Sequence, residues 1–364
     1  MLMGQVYVLY TGGTIGSTGS PLRPMSGSDF TQLVLSIPDL AGFQVAGYDG
    51  LRYTIDSVDM PVDSSNMTPS DWIAIAQRIL SHYADYDGFV ILHGTDTMSW
   101  TASALSFYLE GLSKPVIFTG SQLPLAHLLT DARRNLAASI ILAGTMDVPE
   151  VCLFFDTALL RGNRSVKADT SELRAFISPN FPPLAIVGAQ STLNTALVLP
   201  PPPSAASLAN HDLVVALQAL LDAWSAAVLS FTVVEVALFP GIQSTTMLTA
   251  ILQGTRPPVK GLVLGAFGQG EAPSSRTFLD TIAVANEHGI TIIDSTQVIK
   301  GSVNIMAYQT GSGLLQAGAI SGYDLTPEAA LTKLIYLIGS GLDQQVVKAR
   351  MQTNLRGEMT IPPA

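Results

Sequence analysis

Gln5-Val6-Tyr7-Val8-Leu9-Tyr10-Thr11-Gly12-Gly13-Thr14 is an apolar run that ends in two glycines and a threonine. The same pattern returns at Phe89-Val90-Ile91-Leu92-His93-Gly94-Thr95-Asp96-Thr97. A short run of β-branched and aromatic residues closed by glycine reads as a buried strand. In an open α/β sheet, ligands bind just beyond the carboxyl ends of the strands. Two hydroxyl-rich, glycine-loosened turns in that position point to paired nucleophilic hydroxyls over one pocket, a site for acyl chemistry on a small molecule.

Outward from these runs, strand-like and helix-like segments alternate. Strands are expected at Gln5–Tyr10, Phe89–Leu92, Pro115–Phe118 and Val151–Phe155. Thr68-Pro69-Ser70-Asp71 supplies a capping hydroxyl, a proline at the first helical position and an early carboxylate, and Ile73, Ala76, Leu80 and Tyr83 then share one helical face. Asp131 precedes another helix ending near Gly144, and a third starts near Met98, with Thr95 or Asp96 as its candidate N-cap. The alternation predicts an α/β protein: a larger N-terminal domain with a mainly parallel sheet flanked by helices, plus a smaller C-terminal α/β domain. The latter has strands at Gly261–Leu264 and Ile290–Ile293, a helix around Arg276–Glu287, and a last helix with Leu331, Leu334, Ile335 and Ile338 on one face. Between about Phe176 and Asn210 the prolines, including Pro200 to Pro203, predict a stiff, extended connection. The expected division is 1–190, a Pro/Ala-rich linker over 191–228 with a short helix at Leu213–Ala227, and 229–364.

At 364 residues the chain exceeds the roughly 250–300 at which a single core stops growing. With 48% apolar and 13% charged residues it has ample core and is not a disordered chain. The longest membrane-like stretch, Ala223 to Val234, is closed off by Asp222 and Glu235, short of the ~20 residues a bilayer needs. No basic segment followed by an apolar one opens the sequence, and Cys152 is the lone cysteine, so a cytoplasmic setting is expected. A net charge of −10 and scattered lysines argue against nucleic acid, and Arg133-Arg134 reads as a solvated helix face or a local ion pair. The histidines lack ligand spacing, so no metal is expected, and His93 reads as a hydrogen-bonded structural residue.

Gly12 and Gly13 let backbone N–H groups converge into an anion-binding concavity beside the Thr14 hydroxyl. Ile15-Gly16-Ser17 supplies no lysine for a phosphate loop, and the segment does not fit Gly-x-Gly-x-x-Gly. Thr95-Asp96 places a hydroxyl beside a carboxylate that can hold an ammonium group. Lys167 is, with Lys114, one of two lysines in the first 250 residues. Paired with Asp96 it would polarise Thr95; otherwise it is an exposed loop residue. Asp63-Ser64-Ser65 offers hydroxyls and amides to a carboxylate, and turn chemistry explains it equally well.

Together these segments resemble the bacterial L-asparaginase family, most closely its cytoplasmic type I branch. Tyr10 to Gly16 and Leu92 to Met98 match its two signatures, and Asp63-Ser64-Ser65, Gly120-Ser121-Gln122, Arg161 to Lys167 and Asn354 to Glu358 match further segments. The resemblance implies cofactor-free hydrolysis of L-asparagine, with Thr14 as nucleophile and Thr95, Asp96 and Lys167 as a second catalytic set. Asp96 would also hold the substrate amino group, and Asp63-Ser64-Ser65 its carboxylate. It further implies a homo-oligomer, a dimer or dimer of dimers. Leu22 stands where the family loop carries a tyrosine, and Gly265 and Val298 where type I relatives tend to have Arg and Cys at a regulatory site. Mixed asparaginase–glutaminase specificity and a catalytically weakened amino-acid-binding homologue are the alternatives.

Overall fold

The computed structural model describes residues 4–242 and 245–362. The chain divides into two units, Met1–Leu221 and Asp222–Ala364. In the first, the opening apolar run becomes β1 (Gln5–Gly12), buried at every residue after Gln5. Parallel neighbours flank it, β2 (Arg52–Val62) on one side and β3 (Gly88–Leu92) on the other. β4 (Val116–Thr119) and β5 (Val151–Phe155) extend the parallel run beyond β3. β6 (Ala158–Arg161), β7 (Ala185–Val187) and β8 (Ser191–Leu193) add on antiparallel, giving the order β8-β7-β6-β5-β4-β3-β1-β2. Helices α1 (Pro69–Ser81), α2 (Met98–Tyr108) and α3 (Ala132–Thr145) follow β2, β3 and β4. Val6, Val8 and Tyr10 of β1 share one apolar cluster with Val90 and Leu92 of β3 and Leu136 and Ile140 of α3.

This topology places the site. The chain leaves β1 for β2 on one side, then returns to β3 on the other, so strand order reverses at β1. Ligand crevices in such sheets lie beyond the carboxyl ends at that reversal. Thr14 follows β1, Asp63-Ser64-Ser65 follows β2 and Thr95-Asp96 follows β3, so all three polar clusters arrive at that end.

Several local readings change in the structure. Arg52–Val62 was not expected as a strand; at the sheet edge only Tyr53 is fully buried, so its alternation is faint. The Pro-rich region contains β7 and β8, which sit at the other edge, downstream of Pro182-Pro183, where the ladder bond a proline cannot make is not needed. Pro200 to Pro203 carry no helix or strand, and the Ala/Leu-rich helix runs His211–Ala227. The α1 cap forms as expected, with the Thr68 N–H and hydroxyl both donating to Asp71 Oδ2 at 2.7 and 2.6 Å. Asp131 does not cap α3; its carboxylate instead accepts the backbone N–H groups of Gln122 and Leu123 at 2.9 and 3.0 Å. Arg134 pairs with Asp156 at 3.3 Å.

The second unit holds a parallel sheet of β9 (Thr232–Ala237), β10 (Val259–Ala266), β11 (Thr291–Thr296) and β12 (Ile320–Ser321). Leu262, Leu264 and Ile292 pack there against Phe278 and Ile282 of α4 (Arg276–Glu287). The helix expected to be the last, α5 (Pro327–Gly339), is buried on more than the leucine face, and a further helix, Gln344–Met351, follows it. Lys333 is fully buried and paired with Glu358 at 2.5 Å, while its Nζ also donates to the carbonyls of Met351 and Thr353 at 3.1 and 2.6 Å. Glu358 accepts the N–H groups of Leu355 and Arg356, so the pair folds the C-terminal segment onto α5. Among the described residues no helix is long and apolar enough to cross a membrane.

Candidate active site

Gly12 and Gly13 have φ angles of +117° and +80°, a region side chains disfavour. Space is the stricter limit. A Cβ on Gly12 would fall 2.1 Å from the Val62 carbonyl oxygen, and one on Gly13 would fall 2.4 Å from both N and Cα of Gly94. The Gly13 N–H donates to Val62 O at 3.0 Å. A Cβ on Gly94 would in turn meet Ser64 Oγ at 2.5 Å. Missing side chains therefore let the turns after β1, β2 and β3 press together.

Thr14 opens a single 3-10 turn, Thr14–Gly16, and is half-buried. Thr95 is buried, whereas the Asp96 side chain is 61% exposed. Lys167 Nζ donates to Thr95 Oγ1 at 2.8 Å and to Asp96 Oδ1 at 2.6 Å. It is carried by the short strand Val166–Lys167, which pairs antiparallel with Phe176–Ile177. Phe176 packs on Phe155 at the end of β5, with ring centroids 4.9 Å apart. The N-cap position of α2 is Thr97, not Thr95 or Asp96. Thr97 Oγ1 donates to Ser64 O at 2.7 Å, tying the β3 turn to the β2 turn. Within the latter, Asp63 Oδ1 accepts from the Ser65 N–H and hydroxyl at 2.9 and 2.8 Å, which leaves Ser64 buried and Asp63 and Ser65 exposed.

Thr95, Asp96 and Lys167 are thus joined directly, and Ser64 is joined to the same turn through Thr97. Thr14 enters through the contact of Gly13 with Gly94; among the described residues, none of the bonds linking Thr95, Asp96 and Lys167 reaches it. An ammonium carries three donors and no acceptor, so charged Lys167 stabilises negative charge on Thr95 Oγ1 rather than removing its proton. It engages Oδ1 of Asp96, whose side chain is largely exposed and is an acceptor suited to a ligand cation.

Ser17–Thr18 and Arg23–Pro24 pair as a small hairpin beyond Thr14, with Leu22 55% exposed in its turn. Tyr10 lies at the hairpin base, where its hydroxyl donates to Gly16 O at 3.2 Å, and burial pushes its pKa up, so it stays protonated. In the second unit Gly265 sits in β10, its carbonyl accepting from Gln297 Nε2 at 2.7 Å, and Val298 is half-exposed. No cluster of metal-ligating side chains occurs among the described residues.

His93, expected as a hydrogen-bonded structural residue, is fully buried and bonds Gly94 O and Thr101. One further supporting group, Asn135, escaped the sequence reading. Asn135 Nδ2 donates to Gly120 O at 2.9 Å, and with Asp131 it holds the turn after β4. A buried polar residue facing a distant turn leaves no local pattern; the position of Asp131, nine residues after Gln122, was its only trace.

A family model described as "Asparaginase, N-terminal" matches residues 5–199, and one described as "Glutaminase/Asparaginase C-terminal domain" matches residues 232–351. The chain is 42% identical over 362 residues to L-asparaginase 1 of Escherichia coli, covering 98% of each. It is 39% identical over 375 residues to the 60 kDa lysophospholipase of Mus musculus, covering 98% of this chain and 63% of that protein. The crystal structure of L-asparaginase I from Vibrio cholerae superposes with a TM-score of 0.81 at 39% identity, covering 98% of this chain and 99% of that one. Both signatures, the paired sheets and matches across both units converge: the chain belongs to the asparaginase family.

Proposed function

We propose that this protein hydrolyses L-asparagine to L-aspartate and ammonia, without a cofactor, through Thr14 as nucleophile. What carries the reading is the Lys167 ammonium, 2.8 Å from Thr95 Oγ1 and 2.6 Å from Asp96 Oδ1, beside the turn on which Gly13 packs. The names of its relatives in Escherichia coli and Vibrio cholerae support the same substrate. Asp96 takes the substrate ammonium on its exposed carboxylate, and the Asp63-Ser64-Ser65 segment receives the α-carboxylate, with Asp63 orienting the Ser65 hydroxyl.

Thr14 Oγ attacks the side-chain amide carbon and its proton passes to the departing nitrogen, which leaves as ammonia. The β-aspartyl ester on Thr14 is then hydrolysed by water, returning the threonine hydroxyl. Thr95, polarised by Lys167, bonds the groups that gain and lose protons in these steps. The enzyme works as a cytoplasmic homo-oligomer, a dimer or dimer of dimers.

The test is ammonia release from L-asparagine and L-glutamine, with kcat/KM for each. An extra methylene is worth about 1–3 kcal/mol in a fitted pocket, so the expected preference for asparagine is measurable. Thr14→Ala abolishes release while circular dichroism is unchanged. Full activity in that variant contradicts the assignment, and equal kcat/KM for both amides assigns mixed specificity instead.

A further inference from the structure

His93 sits at the carboxyl end of β3, one residue before Gly94-Thr95, and is 0% exposed. Its Nδ1 lies 2.7 Å from Gly94 O and its Nε2 2.9 Å from Thr101 Oγ1. A carbonyl oxygen only accepts, so Nδ1 carries the ring proton; Nε2 of the neutral ring is then an acceptor, and Thr101 donates to it. Burial favours that neutral ring by pushing its pKa down to about 4. Thr101 is itself fully buried on α2, so the imidazole ties the Gly94 carbonyl to the helix that follows the turn.

The His93 backbone is confined as tightly. Its N–H donates to Thr119 O at 2.9 Å. A Cβ on Gly120 would fall 2.3 Å from His93 O, and one on Gly13 would fall 2.9 Å from His93 C. β4, the nucleophile loop and α2 all close on this residue. The peptide that follows, Gly94–Thr95, sets the direction of the Thr95 side chain toward Lys167.

We propose that His93 is a positioning residue for the reaction: its Nδ1–H, held in register by the Thr101 hydroxyl, fixes the Gly94–Thr95 peptide so that Thr95 meets Lys167 and the substrate. The proposal rests on Thr14, Thr95 and Lys167 being the amidase machinery. His93 touches no reacting atom and acts only through the turn.

The test compares wild type, His93→Asn, His93→Leu and Thr101→Val in the full-length protein. A carboxamide nitrogen reaches where Nδ1 lies, so His93→Asn keeps the donor to Gly94 O and His93→Leu removes it. A small misplacement of a reacting group costs up to about a hundredfold, so His93→Leu loses about ten- to a hundredfold in kcat per folded enzyme. KM for asparagine stays close to wild type, because Asp96 lies beyond the fixed peptide, and His93→Asn restores most of the kcat. Nitrogen NMR of histidine-labelled protein shows a protonated Nδ1 and a bare Nε2 for His93, a preference weakened in Thr101→Val. A purely packing role predicts equal loss of stability in His93→Asn and His93→Leu with kcat unchanged, and that result overturns the proposal, as does a protonated Nε2. Wild type that releases no ammonia ends the amidase reading and the proposal with it; active wild type with an unimpaired His93→Leu ends the proposal alone.

Discussion

Replacing Lys167 with methionine keeps an aliphatic stem of similar length and deletes the ammonium that holds Thr95 and Asp96. Stability responds little, because Asp96 is 61% exposed and an ion pair open to water is worth about 0–1 kcal/mol. The freed Thr95 hydroxyl is buried but sits beside the exposed Asp96, so water replaces its lost donor. At about 2–4 °C per kcal/mol for a protein of this size, the melting temperature moves by a few degrees at most. Catalysis responds strongly. Removing a preorganised donor aimed at developing charge costs about a hundred- to a thousandfold in kcat, or about 2.7–4 kcal/mol of barrier. KM for asparagine changes by only a few-fold, because the Asp96 side chain stays in place and accessible. Lys167→Arg does not recover the activity, because a planar guanidinium fork cannot reproduce a point charge 2.8 Å from Oγ1 and 2.6 Å from Oδ1. Steady-state ammonia release and thermal melts on the same preparations separate the two effects. A Lys167→Met enzyme with kcat within a few-fold of wild type, or one whose lost activity matches its unfolded fraction, refutes the assignment.

Gly13→Ala forces a Cβ to within 2.4 Å of the Gly94 backbone at a φ of +80°, with no flexible side chain to move aside. Denaturant titration should show a loss of about 3 kcal/mol or more, with activity lost even in the folded fraction. In the second unit, burial and then the Glu271 charge raise Asp294 from 3.8 to about 8. The folded chain therefore keeps a proton the unfolded chain gives up; the resulting stabilisation is complete below about pH 4 and is lost as pH rises through about 8. Melting temperature should fall between pH 6 and 9 in wild type and much less in Asp294→Asn; parallel profiles contradict this. Glu358→Gln leaves the buried Lys333 cation unpaired and should cost about 3–5 kcal/mol by urea unfolding, with part recovered when Lys333→Met is added.

The glycine-threonine turns were legible because burial and conformational need both act within a few residues: β1 and β3 are unbroken apolar runs, and Gly12 and Gly13 sit where backbones collide. The contact of Lys167 with Thr95 spans 72 residues of chain, and no spacing encodes it; the scarcity of lysine marked Lys167 as notable, and the family resemblance placed it with Thr95. Local cues also lost to distant partners. Thr95-Asp96 looked like a helix cap, but the ammonium of Lys167 holds both side chains and Thr97 takes the cap position. Asp131 does stand directly before its helix, Ala132–Thr145, but its carboxylate binds the Gln122 turn rather than the helix N-terminus. Lys333 gave no sign of burial because its partner, Glu358, arrives only when the C-terminal segment folds back. Arg52–Val62 went unread because an edge strand buries too little to alternate clearly.

The covalent intermediate offers the most direct measurement. Rapid quenching during turnover of L-asparagine, followed by digestion and mass spectrometry, should find a β-aspartyl ester on the peptide containing Thr14, absent in Thr14→Ala. An ester on Thr95 instead, or continued ammonia release from Thr14→Ala with no adduct, contradicts the account.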